Sequence, residues 1–259
     1  MPDLEAFLVS RFMVFVLVLA RTSTLMMTAP IFGSQAVPRR VRALLSVTMS
    51  MLVTPVFFGV SVPPIGNLVE LGRVLASEAL VGLLLGLGTN ILFSGVQVAG
   101  QIVSQLSGLS LADVFSPGFD EDVSVFSQLY YFLTLAVFVA VGGHRIVTEA
   151  LLDTFAASPP GHATLGAGYV DVLVSILTQS FVLGIRAAGP LLVALLLSNL
   201  VLGLISRTLP QINVIAIGFN VNGLLALGML TLSIGAAAWT FQDPTITVLQ
   251  QIGDVIAMR

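Results

Sequence analysis

Gln97, Gln101 and Gln105 recur at i, i+4 and i+8 in an otherwise apolar stretch, so on a helix they stack along one face. Each primary amide brings two donors and an acceptor oxygen that hydrocarbon cannot satisfy. That face must look at protein or water, and what it offers is hydrogen bonding along a passage. The strip runs through Gly108 and Leu111 to Phe115, Pro117-Gly118 and the acidic run Asp120-Glu121-Asp122. The Pro-Gly pair predicts a turn, so a polar helical face feeds an irregular loop.

Arg21 is the second polar group out of place, about halfway between Leu4 and Pro38. A charge at the centre of a membrane span costs about 2.5 to 3.5 kcal/mol and calls for a partner or a watery cavity. Glu70 and Glu78, flanking Arg73, are the candidate partners, with Glu78 the choice for a charge pair. Snorkelling of Arg21 from a short or tilted helix is the plain alternative. Two further constellations are weaker. Ser110 and His144 have the residue types of a nucleophile and its base, but a serine needs that base within hydrogen-bond reach, and Ser110 serves equally as a turn hydroxyl. His144 and His162 stand eighteen apart without a matching Glu or Cys ladder, which is not metal-ligand spacing.

The elements that must position these groups follow from composition. Of 259 residues 56% are hydrophobic and 9% charged, and the mean hydropathy is +1.04, whereas soluble domains carry about 25% charged residues. The reading is an all-α integral membrane protein of long kinked helices and helical hairpins. There is no cysteine, which excludes disulfides, thiol catalysis and Cys-ligated metals. Every basic residue is arginine and the net charge is -3, so there is no nucleic-acid footprint. Asp3 and Glu5 precede the first apolar run and Arg21 interrupts it, a pattern unlike a cleavable signal.

Runs free of Asp, Glu and Arg cover 22–38, 43–69, 79–112, 123–144, 187–206 and 208–242, about six apolar segments. If wholly helical, 79–112 would reach about 50 Å, well past a hydrocarbon core of about 30 Å. The stretch 170–206 is similarly long, and Pro190 within it predicts a kink or break. Arg39, Arg40 and Arg42 place the first loop on the cytoplasmic side. Gly82-Leu-Leu-Leu-Gly86 permits close helix contact. Pro210-Gln211 and Asn213 form a second polar break, and 242–259 is expected to be a short interfacial helix.

Ala29-Pro30-Ile-Phe32-Gly33, followed by Val37-Pro38-Arg39 and Val41-Arg42, resembles the first block of the R-type membrane subunit of the bacterial flagellar type III export gate. So do Ala99-Gly100-Gln101-Ile102 to Gly108-Leu109, Gly143-His144, Phe155 with Ser158-Pro159, and Ser206-Arg207 with Pro210-Gln211, Asn213-Val214 and Gly218-Phe219. The blocks occur in the family's order across nearly the whole chain.

The resemblance implies a non-enzymatic subunit, without cofactor, in the bacterial inner membrane at the flagellar basal body. It implies assembly with P-type and Q-type subunits into a closed helical gate for unfolded proteins, with B-type and A-type subunits as further contacts and lipid around it. It also implies a P-like part at 1–169 joined to a Q-like part at 170–259. The loop after the Ala-Gly-Gln block, here Gly108 to Asp122, is expected to plug the lumen. Ser116 departs from the acidic residue common before its Pro-Gly. Pro30, Gly33, Pro190, Arg207, Pro210 and Gln211 are expected to act as joints in subunit packing. The alternative is a secondary transporter with a midplane substrate site built from the two polar breaks, Arg21 and Arg186. Against it, neither an unambiguous intramembrane carboxylate nor an inverted repeat shows in the sequence.

Overall fold

The computed structural model describes residues 2–33, 37–63, 66–108, 124–163, 168–211, 213, 216–232 and 247. Among them the regular structure is entirely helical. In chain order the helices are α1 (Pro2–Thr28), α2 (Arg39–Val53, continued by a 3-10 turn at Thr54–Phe57), α3 (Leu68–Ser107), α4 (Val125–Ala140), α5 (Gly143–Ala157), α6 (Gly168–Thr208) and α7 (Ala216–Leu232).

Local chemistry sets the ends. Helix α1 stops ahead of Pro30, and the Gly33 N–H donates to the Ala29 carbonyl to close the turn (2.7 Å). At the start of α3 the Asn67 side chain accepts from the Glu70 N–H (2.8 Å), while the Glu70 carboxylate accepts from the Gly66 N–H (2.9 Å). This is a capping-box arrangement with its return bond shifted by one residue. Ser124 caps α4 by accepting from the Ser127 N–H, and Asn213 caps α7 by accepting from the Ala216 N–H.

Among the described residues four helices are long and apolar enough to cross a membrane: Phe7–Thr28, Arg39–Phe57, Leu68–Ser107 and Tyr169–Thr208. The pair α4 and α5 makes a fifth if counted as one broken span, and α7 is a shorter apolar helix. Each of the six expected segments overlaps a helix, but four or five spans qualify among the described residues rather than six, and several bounds move. Charge-free counting starts the first span at residue 22, whereas α1 contains both Arg11 and Arg21. It likewise misses that α3 begins ahead of Glu70, Arg73 and Glu78, and that 187–206 is the second half of a helix already under way at Asp171. A break at Pro190 is not found: α6 runs through it as one helix of 41 residues. Loss of one backbone donor is tolerable where the hydrogen bonds on either side hold the helix.

The described residues gather into two compact units, one from those within 2–91 and 142–176 together with Thr247, the other from those within 92–141 and 177–232. In the first, α1 contributes Val14, Leu17, Val18, Leu25 and Met26, α3 contributes Val74, Val81 and Leu85, and α5 contributes Val147, Leu151 and Phe155, all buried. Each set repeats at three or four residues, so each helix presents one apolar stripe. In the second, Phe93 of α3 packs edge-on against Phe138 of α4 (5.3 Å between centroids), with Val96, Phe126, Leu183 and Leu195 also buried.

Candidate functional site

In the first unit, Arg21 occupies the stripe position between Leu17 and Leu25, four residues from each. Helix geometry therefore directs it to the core. Its side chain and that of Glu78 are both 0% exposed. Glu78 falls between Val74 and Val81 on the inner stripe of α3, and Thr154 between Leu151 and Phe155 on α5. Three apolar stripes thus each contribute polar groups to one layer. The Arg21 Nε donates to Glu78 Oε2 at 2.7 Å and Nη2 approaches the same oxygen at 2.6 Å. Nη1 donates to Thr154 Oγ1 (3.2 Å) and Nη2 to the Ser158 carbonyl (3.1 Å). The Phe155 ring lies 4.2 Å from the guanidinium carbon, the distance of a cation–π contact.

The other carboxylate oxygen, Glu78 Oε1, accepts from the Gly161 N–H at 2.7 Å. Gly161 takes φ +90°, a conformation that a side chain would disfavour, and this aims its N–H at the carboxylate. Every guanidinium nitrogen and both carboxylate oxygens thus have partners, the condition under which a buried pair is tolerated. Glu70 is exposed and engaged in the cap of α3, whereas Glu78 lies on the buried stripe and meets Arg21. Close approach makes the layer possible. A Cβ on Gly82 would run into the Arg21 carbonyl and the Thr24 hydroxyl, and one on Gly86 into the Thr28 hydroxyl. Thr24 and Thr28 turn those hydroxyls onto carbonyls of their own helix, at 3.0 and 2.7 Å, so the seam leaves them bonded.

In the second unit, the end of the glutamine strip is fastened. The last four carbonyls of a helix lack intrahelical donors. Here Ser104 O accepts from the Ser107 hydroxyl (2.9 Å), Gln105 O from the Gly108 N–H (3.2 Å) and Leu106 O from the Asn199 side-chain amide (2.9 Å). Gly108 turns the chain out of α3 at φ +81°. Asn199 is itself held: its amide oxygen accepts from Asn222 (2.8 Å), whose own oxygen accepts from the Ser198 hydroxyl (2.6 Å). A cavity of about 350 Å³ opens beside this relay, lined by Gln105, Gly108, Asn199, Leu202, Phe219 and Asn222 among others.

Gln97 is half-buried, its backbone carbonyl accepting from the Ser127 hydroxyl at 2.8 Å, while Gln101 and Gln105 are exposed. Pro30 is buried, and Pro190, Arg207, Pro210 and Gln211 are exposed. Leu111, Phe115, Pro117, Gly118 and Ser110 lie outside the described residues, as does the interfacial helix expected at 242–259 apart from Thr247. His144 stands at the start of α5 and His162 follows its end, with about 20 Å of helix between them at 1.5 Å per residue. The structure therefore brings Arg21 and Glu78 together and keeps the histidines apart.

One sequence-based objection to a transporter needs correction. Glu78 is a carboxylate inside the apolar helix α3, and the spacing of charges hid this because α3 begins before them. It is fully engaged by Arg21 and Gly161, so it offers a substrate no free group. The residues that sequence reasoning missed are Thr154, the Gly161 N–H, Ser198, Asn199 and Asn222. The two asparagines were legible in principle, as lone amides within apolar runs.

Long apolar helices and an internal ion pair, with helix the regular structure among the described residues, define an all-helical integral membrane protein. Residues 12–246 match the family described as bacterial export proteins, family 1, and the chain belongs to that family. It is 30% identical over 228 residues to the flagellar biosynthetic protein FliR of Escherichia coli strain K12, covering 88% of this chain and 83% of that one. It is 28% identical over 227 residues to FliR of Caulobacter vibrioides, covering 88% and 90%. With FliR of Bacillus subtilis strain 168 it shares 27% identity over 215 residues, 82% of each chain.

Proposed function

We propose that this chain is a non-catalytic core subunit of the flagellar type III protein export gate. It sits in the bacterial inner membrane at the basal body and assembles with P-type and Q-type subunits around a closed channel. Residues 1–169 form its P-like part and 170–259 its Q-like part. B-type and A-type subunits are further contacts, and unfolded exported proteins are the cargo. Gln97, Gln101 and Gln105 contribute hydrogen-bonding groups to the passage, and Gly108 to Asp122 closes it. Pro30, Gly33, Pro190, Arg207, Pro210 and Gln211 shape the joints between subunits, and the Arg21–Glu78 pair clamps the helices that carry them.

The observation that supports this reading most is the tethering of the α3 C-terminus by Asn199 and Asn222. A loop that must stop a pore and also move needs a fixed root, and the amide-bearing helix supplies one where that loop begins. The test is affinity purification of the tagged chain from detergent-extracted membranes of a cell making the whole export system. The expected result is co-elution with P-type and Q-type subunits in one high-mass species. Recovery of the chain alone, with export unchanged on its deletion, would count against the proposal.

A further inference from the structure

Helix α6 is about 61 Å long at 1.5 Å per residue, roughly twice the hydrocarbon thickness of about 30 Å. Placed along the membrane normal, about half of it stands outside lipid, and tilting by 40° still leaves a projection of about 47 Å, so that about a third stands outside. Its outer face makes both halves costly. Leu177, Phe181 and Ile185 are exposed at steps of four residues, so if 187–206 fill the hydrocarbon these side chains face water. If the hydrocarbon instead covers Leu177 to Pro190, Arg186 lies in it. Arg186 is exposed, and among the described residues it has no ion-pair or hydrogen-bond partner. Pro190 has no N–H to return to the Arg186 carbonyl four residues earlier, so that backbone group loses its usual helical donor as well. In hydrocarbon each such group costs several kcal/mol.

A protein neighbour over this face removes both difficulties. Val182, Arg186, Gly189 and Val193 follow one another at steps of four, three and four, so they lie in one line. A Cβ at Gly189 would meet nothing within 4 Å, which leaves a notch beside Arg186 for another backbone to approach. Val182 and Val193 lie on the same line of the helix as Arg186, Ile185 precedes it, and all three are exposed. Such a border suits a dry contact and not a water-filled lumen. Once covered, the guanidinium loses water and needs a counter-charge.

We propose that the Arg186 face of α6 docks an apolar helix of another subunit that presents a single carboxylate to Arg186. This rests on the proposed assembly into an export gate and specifies one of its contacts.

The chain has no cysteine, so a single introduced thiol reports without background. In the whole assembly, Arg186→Leu leaves the partner's carboxylate unpaired and lowers recovery of the high-mass species at least tenfold, while Arg186→Lys retains most of it. The isolated Arg186→Leu chain unfolds at the same detergent concentration as the parent, because Arg186 has no ion-pair or hydrogen-bond partner among the described residues. In the intact assembly Ile185→Cys resists a membrane-impermeant maleimide, and it reacts once the subunits are dissociated. Normal assembly of Arg186→Leu overturns the proposal, since a lipid-facing position would favour leucine. Rapid labelling of Ile185→Cys in the intact assembly also overturns it, in favour of a hydrated surface. Either result with the parent chain still co-eluting with its partners refutes this contact alone; absence of co-elution in the parent chain refutes the export-gate reading.

Discussion

Arg21→Met would remove the hydrogen bonds to Glu78, Thr154 and the Ser158 carbonyl and leave a buried carboxylate held only by backbone N–H groups, those of Gly161 and Ala163. Breaking a buried pair from one side costs about 3–5 kcal/mol. Part of that cost belongs to the abandoned charge, so removing the second charge should recover much of it. Glu78→Gln keeps an amide oxygen for Gly161, and the double variant should lie within about 2 kcal/mol of the parent, with a coupling energy of at least about 2 kcal/mol.

Reversing the pair is a different experiment. With Arg21→Glu and Glu78→Arg the new carboxylate meets the Ser158 carbonyl, an acceptor, and the new guanidinium meets the Gly161 N–H, a donor. The reversed pair should therefore rescue poorly, even though its net charge is unchanged. The assay is loss of helical circular dichroism on titration of the purified chain from a mild detergent into dodecyl sulfate. Additive single effects, or full rescue by reversal, would show that the surrounding dipoles do not set the polarity of the pair as described.

Two further outcomes follow from the same geometry. Gly82→Ala should destabilise the chain by about 1–3 kcal/mol in that titration, because the new methyl meets backbone of α1 that cannot swing aside; a neutral result would mean that α1 and α3 do not approach so closely. Asn199→Leu abandons the Leu106 carbonyl and the Asn222 amide, at about 1–3 kcal/mol for a buried unmet group. Its effect should be local, with faster hydrogen exchange at Ser104 to Gly108 and unchanged exchange in Val14 to Leu25; equal acceleration in both stretches would contradict a local anchor.

Helix type and membrane class were legible because apolar content and periodicity report directly on burial. Helix bounds were less so: counting charges as stops assumes that a charge faces water, and Arg21 and Glu78 break that assumption by satisfying each other at 0% exposure. Glu78 differs from Glu70 in burial: it lies between Val74 and Val81 on the inner stripe, whereas Glu70 is exposed in the cap with Asn67, a local signature present in the sequence. The remaining partners of Arg21 lie more than 130 residues away on and after α5, a distance over which no periodicity in the sequence carries information. Likewise, the glutamine strip could be read from its spacing, whereas the Asn199–Asn222 relay that fastens its end comes from two other helices. Pro190 does not stop α6: of the kink or break read from it, the break is absent, because the missing donor is felt only locally.

The central claim is that the segment rooted at Gly108 closes a passage in the assembled gate. The direct measurement is ion and small-solute leakage across membranes of cells carrying the assembled complex with Leu111 to Asp120 deleted. The account predicts normal recovery of the complex together with a membrane that leaks. A complex recovered in normal amount within a membrane that stays tight would contradict it.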